Sequence, residues 1–276
     1  MNLIHVVLLG IVEGVTEFLP VSSTGHLTIA EKLLGYQVDA TSITAFTAVV
    51  QVGAIAAAVL YFWSDIVRIV RGWWIGLRHD SKRGNDYYMG WYVIIGSIPI
   101  TIVGLLIKPI LETTFRGLWV VALRLIGWSI VMYFADRART YRHEKDMTWK
   151  DAVYMGAMQC VALIPGVSRS GATISAGLFR GIDRVSATRL SFFLGIPALI
   201  AAGGLQAVSH APQISEHVGW LQMGVGILVS FGIGYASIAW LLKFVAHHNF
   251  TPFIVYRVVL GLGIALALVA GLLASV

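Results

Sequence analysis

Six stretches of this 276-residue chain, 44–63, 91–107, 118–135, 190–208, 220–242 and 253–273, are apolar over the length a helix needs to cross a bilayer, roughly 20 residues. Two further regions, 2–35 and 152–179, are apolar at both ends but broken in the middle by LPVSSTG and IPGVSRSG. A proline among clustered Gly and Ser removes backbone hydrogen bonds and ends a helix. Irregular backbone persists at membrane depth only where it lines a cavity or is buried in protein. Each broken region is therefore expected to be a re-entrant pair of short helices that enters and returns on one side.

Composition agrees. Hydrophobic residues make up 57% of the chain and charged residues 12%, against about 25% charged in an ordinary soluble domain, and the mean hydropathy is +0.78. No polar stretch is long enough for a separate soluble domain, so residues 1–276 read as one all-α polytopic membrane domain. The N-terminal MNLIHVVLLGIVEGVTEF has no basic leader, and Glu13 and Glu17 interrupt its apolar run, so it is expected to be part of the working protein rather than a signal peptide. Cys160 is the single cysteine, which excludes an internal disulfide or a cysteine metal cluster. The formal charge of +6 comes from Lys and Arg placed mostly in short loops between apolar runs, where they set topology; nucleic acid is not expected as a partner.

Loop charge gives the orientation. Arg68, Arg71, Arg78, Lys82 and Arg83 follow the first span, and Arg137, Arg139, Arg142, Lys145 and Lys150 follow the third; both loops should be cytoplasmic. Residues 209–219 carry no Lys or Arg and should be external. Arg180, Arg184 and Arg189 place the exit of the second broken region inside, as its entrance is, whereas counting back places the exit of the first broken region outside. The chain is thus expected to hold two inverted-topology repeats, 1–146 and 147–276, each a re-entrant pair followed by three crossings. GIVEGVTEFLPVSSTG from Gly10 aligns without gaps on GAMQCVALIPGVSRSG from Gly156, pairing Ser22 with Ser168 and Gly25 with Gly171 and setting Glu13 opposite Gln159 and Ser23 opposite Arg169.

The polar groups inside the breaks carry the chemistry. Glu13 and Glu17 are four apart and share a helix face. Two ionised carboxylates in low dielectric need compensation, from a proton, a divalent cation or a nearby guanidinium. Ser22, Ser23, Thr24 and His26 follow in one half; Ser168, Arg169, Ser170 and Thr173 occupy the other. A turn leading into a helix N-terminus suits an anion, and Arg adds a bidentate fork that matches phosphate oxygens. Phosphoryl transfer is within reach of these types: a hydroxyl such as that of Ser23 attacks phosphorus while a carboxylate takes its proton, His26 protonates the leaving oxygen, and Arg169 holds the equatorial charge. Mg or Ca on Glu13 and Glu17 would be an oxygen-ligated site. No GxxxxGK[ST] loop occurs, which disfavours a nucleotide-driven pump. The alternative is a secondary transporter or flippase of an anionic lipid or small anion, since inverted repeats with broken helices meeting at an anion site also serve alternating access. That function needs the clamp but not Ser23 and His26 beside paired carboxylates.

EGVTEFLPVSSTGH (13–26) and PGVSRSGAT (165–173), with GSIP (96–99) and PFIVYR (252–257), resemble the signature motifs of the bacterial undecaprenyl-diphosphate phosphatases, also named for bacitracin resistance. The resemblance implies hydrolysis of the C55 isoprenoid diphosphate to the monophosphate carrier lipid and inorganic phosphate. It implies a site at the external face of the bacterial inner membrane, a divalent cation, and a role in recycling the lipid carrier for cell-wall synthesis. By position it makes Glu13 and Glu17 the acidic pair and metal ligands, with Glu17, Ser23, His26 and Arg169 catalytic. Ser22, Thr24, Ser168, Ser170 and Thr173 would bind substrate. Ser23 and His26 are both open as nucleophile, Ser23 being favoured. TRLSFF (188–193) departs from the pattern at Leu190, where an aromatic is expected. Gln51 and Ser97 are expected to bond helix to helix, with a place in the cavity wall open to either. The glycine-rich final run, GLGIALALVAGLLA, suits close helix packing or a homodimer seam and leaves both open.

Overall fold

The computed structural model describes residues 1–36, 41–114, 117–209 and 219–273. Eleven α-helices run through them, here numbered in order: α1 Leu3–Thr16, α2 Ser23–Leu33, α3 Thr41–Tyr61, α4 Trp63–Arg78, α5 Asn85–Thr114, α6 Leu118–Asp136, α7 Trp149–Val161, α8 Arg169–Phe179, α9 Arg184–Ser209, α10 Trp220–Val245 and α11 Thr251–Val269. Among the described residues five helices are long and apolar enough to cross a bilayer, or six if α3 and α4 count as one bent span.

Both broken regions form the expected helix pairs. With 14 and 11 residues in α1 and α2, and 13 and 11 in α7 and α8, none exceeds about 21 Å at 1.5 Å per residue, short of the ~30 Å hydrocarbon thickness. Each pair starts and finishes on the same side. At the outer ends of the first pair, His5 Nδ1 and the Tyr36 hydroxyl are 2.8 Å apart. In the second, Arg180 at the end of α8 donates its Nε–H to Asp151 Oδ1, in the first turn of α7, at 2.7 Å.

Asp151 is fully buried and accepts further hydrogen bonds from Arg142 Nη1 at 3.1 Å, Arg142 Nη2 at 2.5 Å, Thr148 N at 2.8 Å and Thr148 Oγ1 at 2.7 Å. Burial pushes the carboxyl up, but the bonds from Arg142, Thr148 and Arg180 more than offset this and hold it below the usual carboxylate range. A carboxyl depressed in the folded state contributes stability in full above its unfolded value, ~4, and loses that contribution as pH falls below it. Asp151→Asn is expected to cost about 2 kcal/mol at neutral pH, the arginines being partly exposed, and to flatten the acid limb of stability; thermal unfolding in detergent across pH 3–7 measures both. Asp136, Glu144, Asp183 and Asp65 pair with Arg184, Arg189 and His143 nearby, so the loops rich in Lys and Arg gather at one end of the bundle.

Glycines let the short helices approach their neighbours. A Cβ on Gly14 would lie 2.9 Å from Ser230 O and Gly234 N of α10, and one on Gly156 would lie 2.2 Å from Gly96 O of α5. Thus α1 of the first half packs on α10 of the second, and α7 of the second on α5 of the first. Phe18, Phe62, Phe192 and Phe193 meet between the halves with ring centroids 5.1–5.7 Å apart.

The structure departs from the sequence reading in three places. Residues 63–78, read as part of a cytoplasmic loop, form α4, bent 68° from the end of α3. Trp63, Val67, Val70, Trp74 and Leu77 line its exposed face, while Arg68 pairs with Asp65 and Asp86. Charge counting marked the basic residues there and passed over the helical period of the apolar ones. Helices α5 and α9 also begin earlier than read, at Asn85 and Arg184, because their first polar turns are tied by ion pairs, Asp86 with Arg68 and Arg184 with Asp136. Most of the loop expected to be external, 210–218, lies outside the described residues.

Candidate active site

Each polar turn delivers its side chains through the same local device. Ser22 and Ser168 are the non-glycine residues with positive φ among those described, at 79° and 80°. Each is the N-cap of the helix that follows, its Oγ accepting from the amide three residues on: Gly25 N at 3.4 Å and Gly171 N at 3.2 Å. A serine held in left-handed backbone is strained, and in return the chain turns sharply enough to begin α2 at Ser23 and α8 at Arg169. Both helix N-termini open onto one cavity of about 420 Å³, lined by Glu17, Ser22, Ser23, Thr24, Ser168 and Arg169 at its polar end. Its walls continue through Ile100 and Leu105 of α5, Leu163 and Ile164 of the second turn, and Ala198, Leu199 and Ala202 of α9.

Glu17 is the hub. Its Oε2 accepts the Ser23 hydroxyl at 2.7 Å, and its Oε1 accepts Arg169 Nη2 at 3.4 Å across the two halves. The carboxylate therefore has a cation to balance it and a hydroxyl whose proton it can take. Glu13, one turn earlier, is 2% exposed, and its Oε2 is without a hydrogen-bond partner. That orphaned oxygen fits the donor chemistry of a hard cation, as does the neighbouring Glu17. Among the described residues no set of three acidic, His or Cys side chains surrounds a metal position, so a cation there would draw its other ligands from water and a phosphate, the usual arrangement for Mg. Glu31, buried on α2, places a third carboxylate near Glu13; it lies beyond the motif that ends at His26, and only its side chain's burial reveals it.

Other serines and threonines named by the sequence hold the scaffold. Ser170 Oγ donates to Leu19 O at 3.0 Å, bridging the halves. That leaves Ser168 Oγ to donate to Ser170 Oγ at 3.1 Å. Thr173 bonds Arg169 O at 2.8 Å and the Ser191 hydroxyl. Ser22, Thr24 and Ser168 line the cavity; Ser170 and Thr173 stand behind it.

His26 faces elsewhere. Its Nδ1 is 2.7 Å from Ser22 O, so that nitrogen carries the proton, and Nε2 accepts the Tyr256 hydroxyl at 2.7 Å. The two rings stack at 5.5 Å. Next to Tyr256, the fully buried Arg257 binds backbone of both polar turns, Pro20 O at 3.2 Å and Gly166 O at 2.9 Å. Sequence reasoning noted PFIVYR only as a motif; an arginine within an apolar run was the signal that it braces something polar. Gln51 lines the cavity, whereas Ser97 makes the helix-to-helix bond expected of it, to Leu194 O at 3.2 Å.

Residues 6–263 match the family model described as bacitracin resistance protein BacA. The chain belongs to this family. Its members include "Undecaprenyl-diphosphatase 3" of Frankia casuarinae, 53% identical over all of both chains. "Undecaprenyl-diphosphatase" of Cutibacterium acnes is 57% identical over 95% of each chain, and the protein of that name from Acidothermus cellulolyticus is 50% identical over all of both. Membership in the BacA family and five apolar helices of spanning length make this a multi-pass membrane protein, and the resemblance on the two motifs extends over the whole chain.

Proposed function

We propose that the protein hydrolyses undecaprenyl diphosphate to undecaprenyl phosphate and inorganic phosphate. The observation that carries this reading is the junction of Ser23, Glu17 and Arg169, a hydroxyl on a carboxylate on a guanidinium, at the mouth of an apolar-walled cavity. The names of the relatives support the choice of substrate. An anionic-lipid transporter would use Arg169 but has no need of a hydroxyl bonded to a buried carboxylate.

In this reading the terminal phosphate sits at the N-termini of α2 and α8 against Arg169, and the isoprenoid follows the walls supplied by α5 and α9. Ser23 Oγ attacks the terminal phosphorus as its proton passes to Glu17 Oε2. The bond to the bridging oxygen breaks, and the monophosphate lipid leaves with the electron pair. Glu17 releases that proton to water; ionised again, it takes a proton from the water that attacks the phosphoserine and returns it to Ser23 Oγ as the bond from Oγ to phosphorus breaks, releasing phosphate. For His26 to protonate the leaving oxygen, its Nε2 must release the Tyr256 hydroxyl and first take up a second proton, since the one the ring holds is on Nδ1. Glu13 and Glu17 would hold Mg or Ca, which supplies charge neutralisation for the diphosphate when bound.

Two inverted repeats account for the packing: α1 runs alongside α10 and α7 alongside α5, from opposite ends of the bundle. With the basic loops cytoplasmic, the first pair then enters from outside, and the site opens to the external face of the inner membrane. Excess chelator is expected to abolish phosphate release by the purified protein and Mg or Ca to restore it; full activity in chelator would remove the metal from this account.

A further inference from the structure

The geometry points to Gly195 as a positioning residue for the reaction, with Ser191 one turn earlier, together forming the seat on α9 against which the Arg169 guanidinium is pressed. The inference rests on the reading of Arg169 as the phosphate clamp. Arg169 Nη1 donates to the Ser191 carbonyl at 3.2 Å, Nη2 reaches Glu17 at 3.4 Å, and Nε is buried without a partner; the second N–H of each Nη is left for a ligand. The fork can lie this close to a helix backbone only because residue 195 has no side chain. A Cβ built there falls 1.8 Å from Nη1 and 2.7 Å from Cζ. Ordinary contact begins near 3.4 Å, so even the smallest side chain would push the guanidinium more than an ångström off its seat.

The same face of α9 continues into the cavity wall. Ser191, Gly195, Ala198 and Ala202 follow at helical spacing, the first two under Arg169 and the last two lining the apolar passage. One helix thereby carries both the seat of the anion clamp and the surface along which the isoprenoid lies, with Pro197 between them. Pinning at both Nη1 and Nη2 is what makes the position matter, because it fixes the direction in which the fork's remaining N–H groups point. A displacement of this size at a transition-state clamp can lower turnover on the order of a hundredfold.

The test is a double-mutant cycle on the full-length protein in detergent, reading phosphate release from C55 isoprenoid diphosphate and thermal unfolding. Gly195→Ala is expected to lose about a hundredfold in turnover, whereas in an Arg169→Lys background the same change should add almost nothing, since an ammonium lacks the Nη1 that the new Cβ strikes. Near-native turnover of Gly195→Ala, or equal losses in both backgrounds, overturns the seat while leaving the phosphatase reading intact. If the wild type releases no phosphate, that reading falls and unfolding decides the seat: Gly195→Ala should lower the unfolding temperature beside Arg169 and not beside Arg169→Ala. The same effect, or none, in both overturns it.

Discussion

Ser23→Ala is expected to lower phosphate release on the order of a thousandfold or more, with the unfolding temperature close to wild type. The side chain lost is small and half-buried, at the first position of α2, and its one hydrogen bond, to Glu17 Oε2, is worth about 1 kcal/mol. Alanine is also a good residue at that position. The chemical loss is of another order, because no other hydroxyl lies on Glu17 among the described residues: Ser22 and Ser168 are tied to the amides they cap, and Thr173 to Arg169 and Ser191. Phosphate release and thermal unfolding measured on one preparation separate these effects. Substantial residual turnover would move attack to His26, and the exchange of Tyr256 for substrate at Nε2 would become the central step.

Arg169→Lys should lose a hundredfold or so, on the order of what removing one preorganised transition-state donor costs, although the charge is kept. The guanidinium touches Ser191 of α9 through Nη1 and Glu17, just past the end of α1, through Nη2. A lysine has one nitrogen on a flexible stem, which can satisfy one of these partners or the phosphate but cannot present a fixed edge. The loss should fall chiefly on kcat, since a cation near the diphosphate still contributes to ground-state binding. Near-native kcat in Arg169→Lys would remove Arg169 from the clamp.

Much of this site was legible because hydrocarbon makes polar residues conspicuous. Glu13, Glu17, Ser23 and Arg169 stand out in apolar runs, and the Pro, Gly and Ser of the two breaks forecast helix pairs too short to cross. The offset that aligns Gly10 with Gly156 also superposes two capping serines of almost identical φ, a match that lies in backbone geometry as much as in residue identity. Other features were illegible for physical reasons. Helix α4 was hidden because its arginines read as loop, although Trp63, Val67, Val70, Trp74 and Leu77 keep a helical period. Gly195 could not be told from any other glycine in a spanning helix until Arg169 was found lying on it. Tyr256 and His26 are 230 residues apart, and only the packing of α11 beside α6 brings them together. Nothing in AEKLLG marks Glu31 as buried, and its burial comes from the fold of the α1–α2 pair.

The most direct test of the central claim is phosphate release from C55 isoprenoid diphosphate by the purified wild-type protein with Mg or Ca, the lipid product being identified alongside. The account predicts inorganic phosphate and monophosphate lipid in equal amounts, with repeated turnover. Tight binding of the diphosphate lipid with no phosphate released would contradict it, and would leave the Arg169 clamp as the binding site of a carrier.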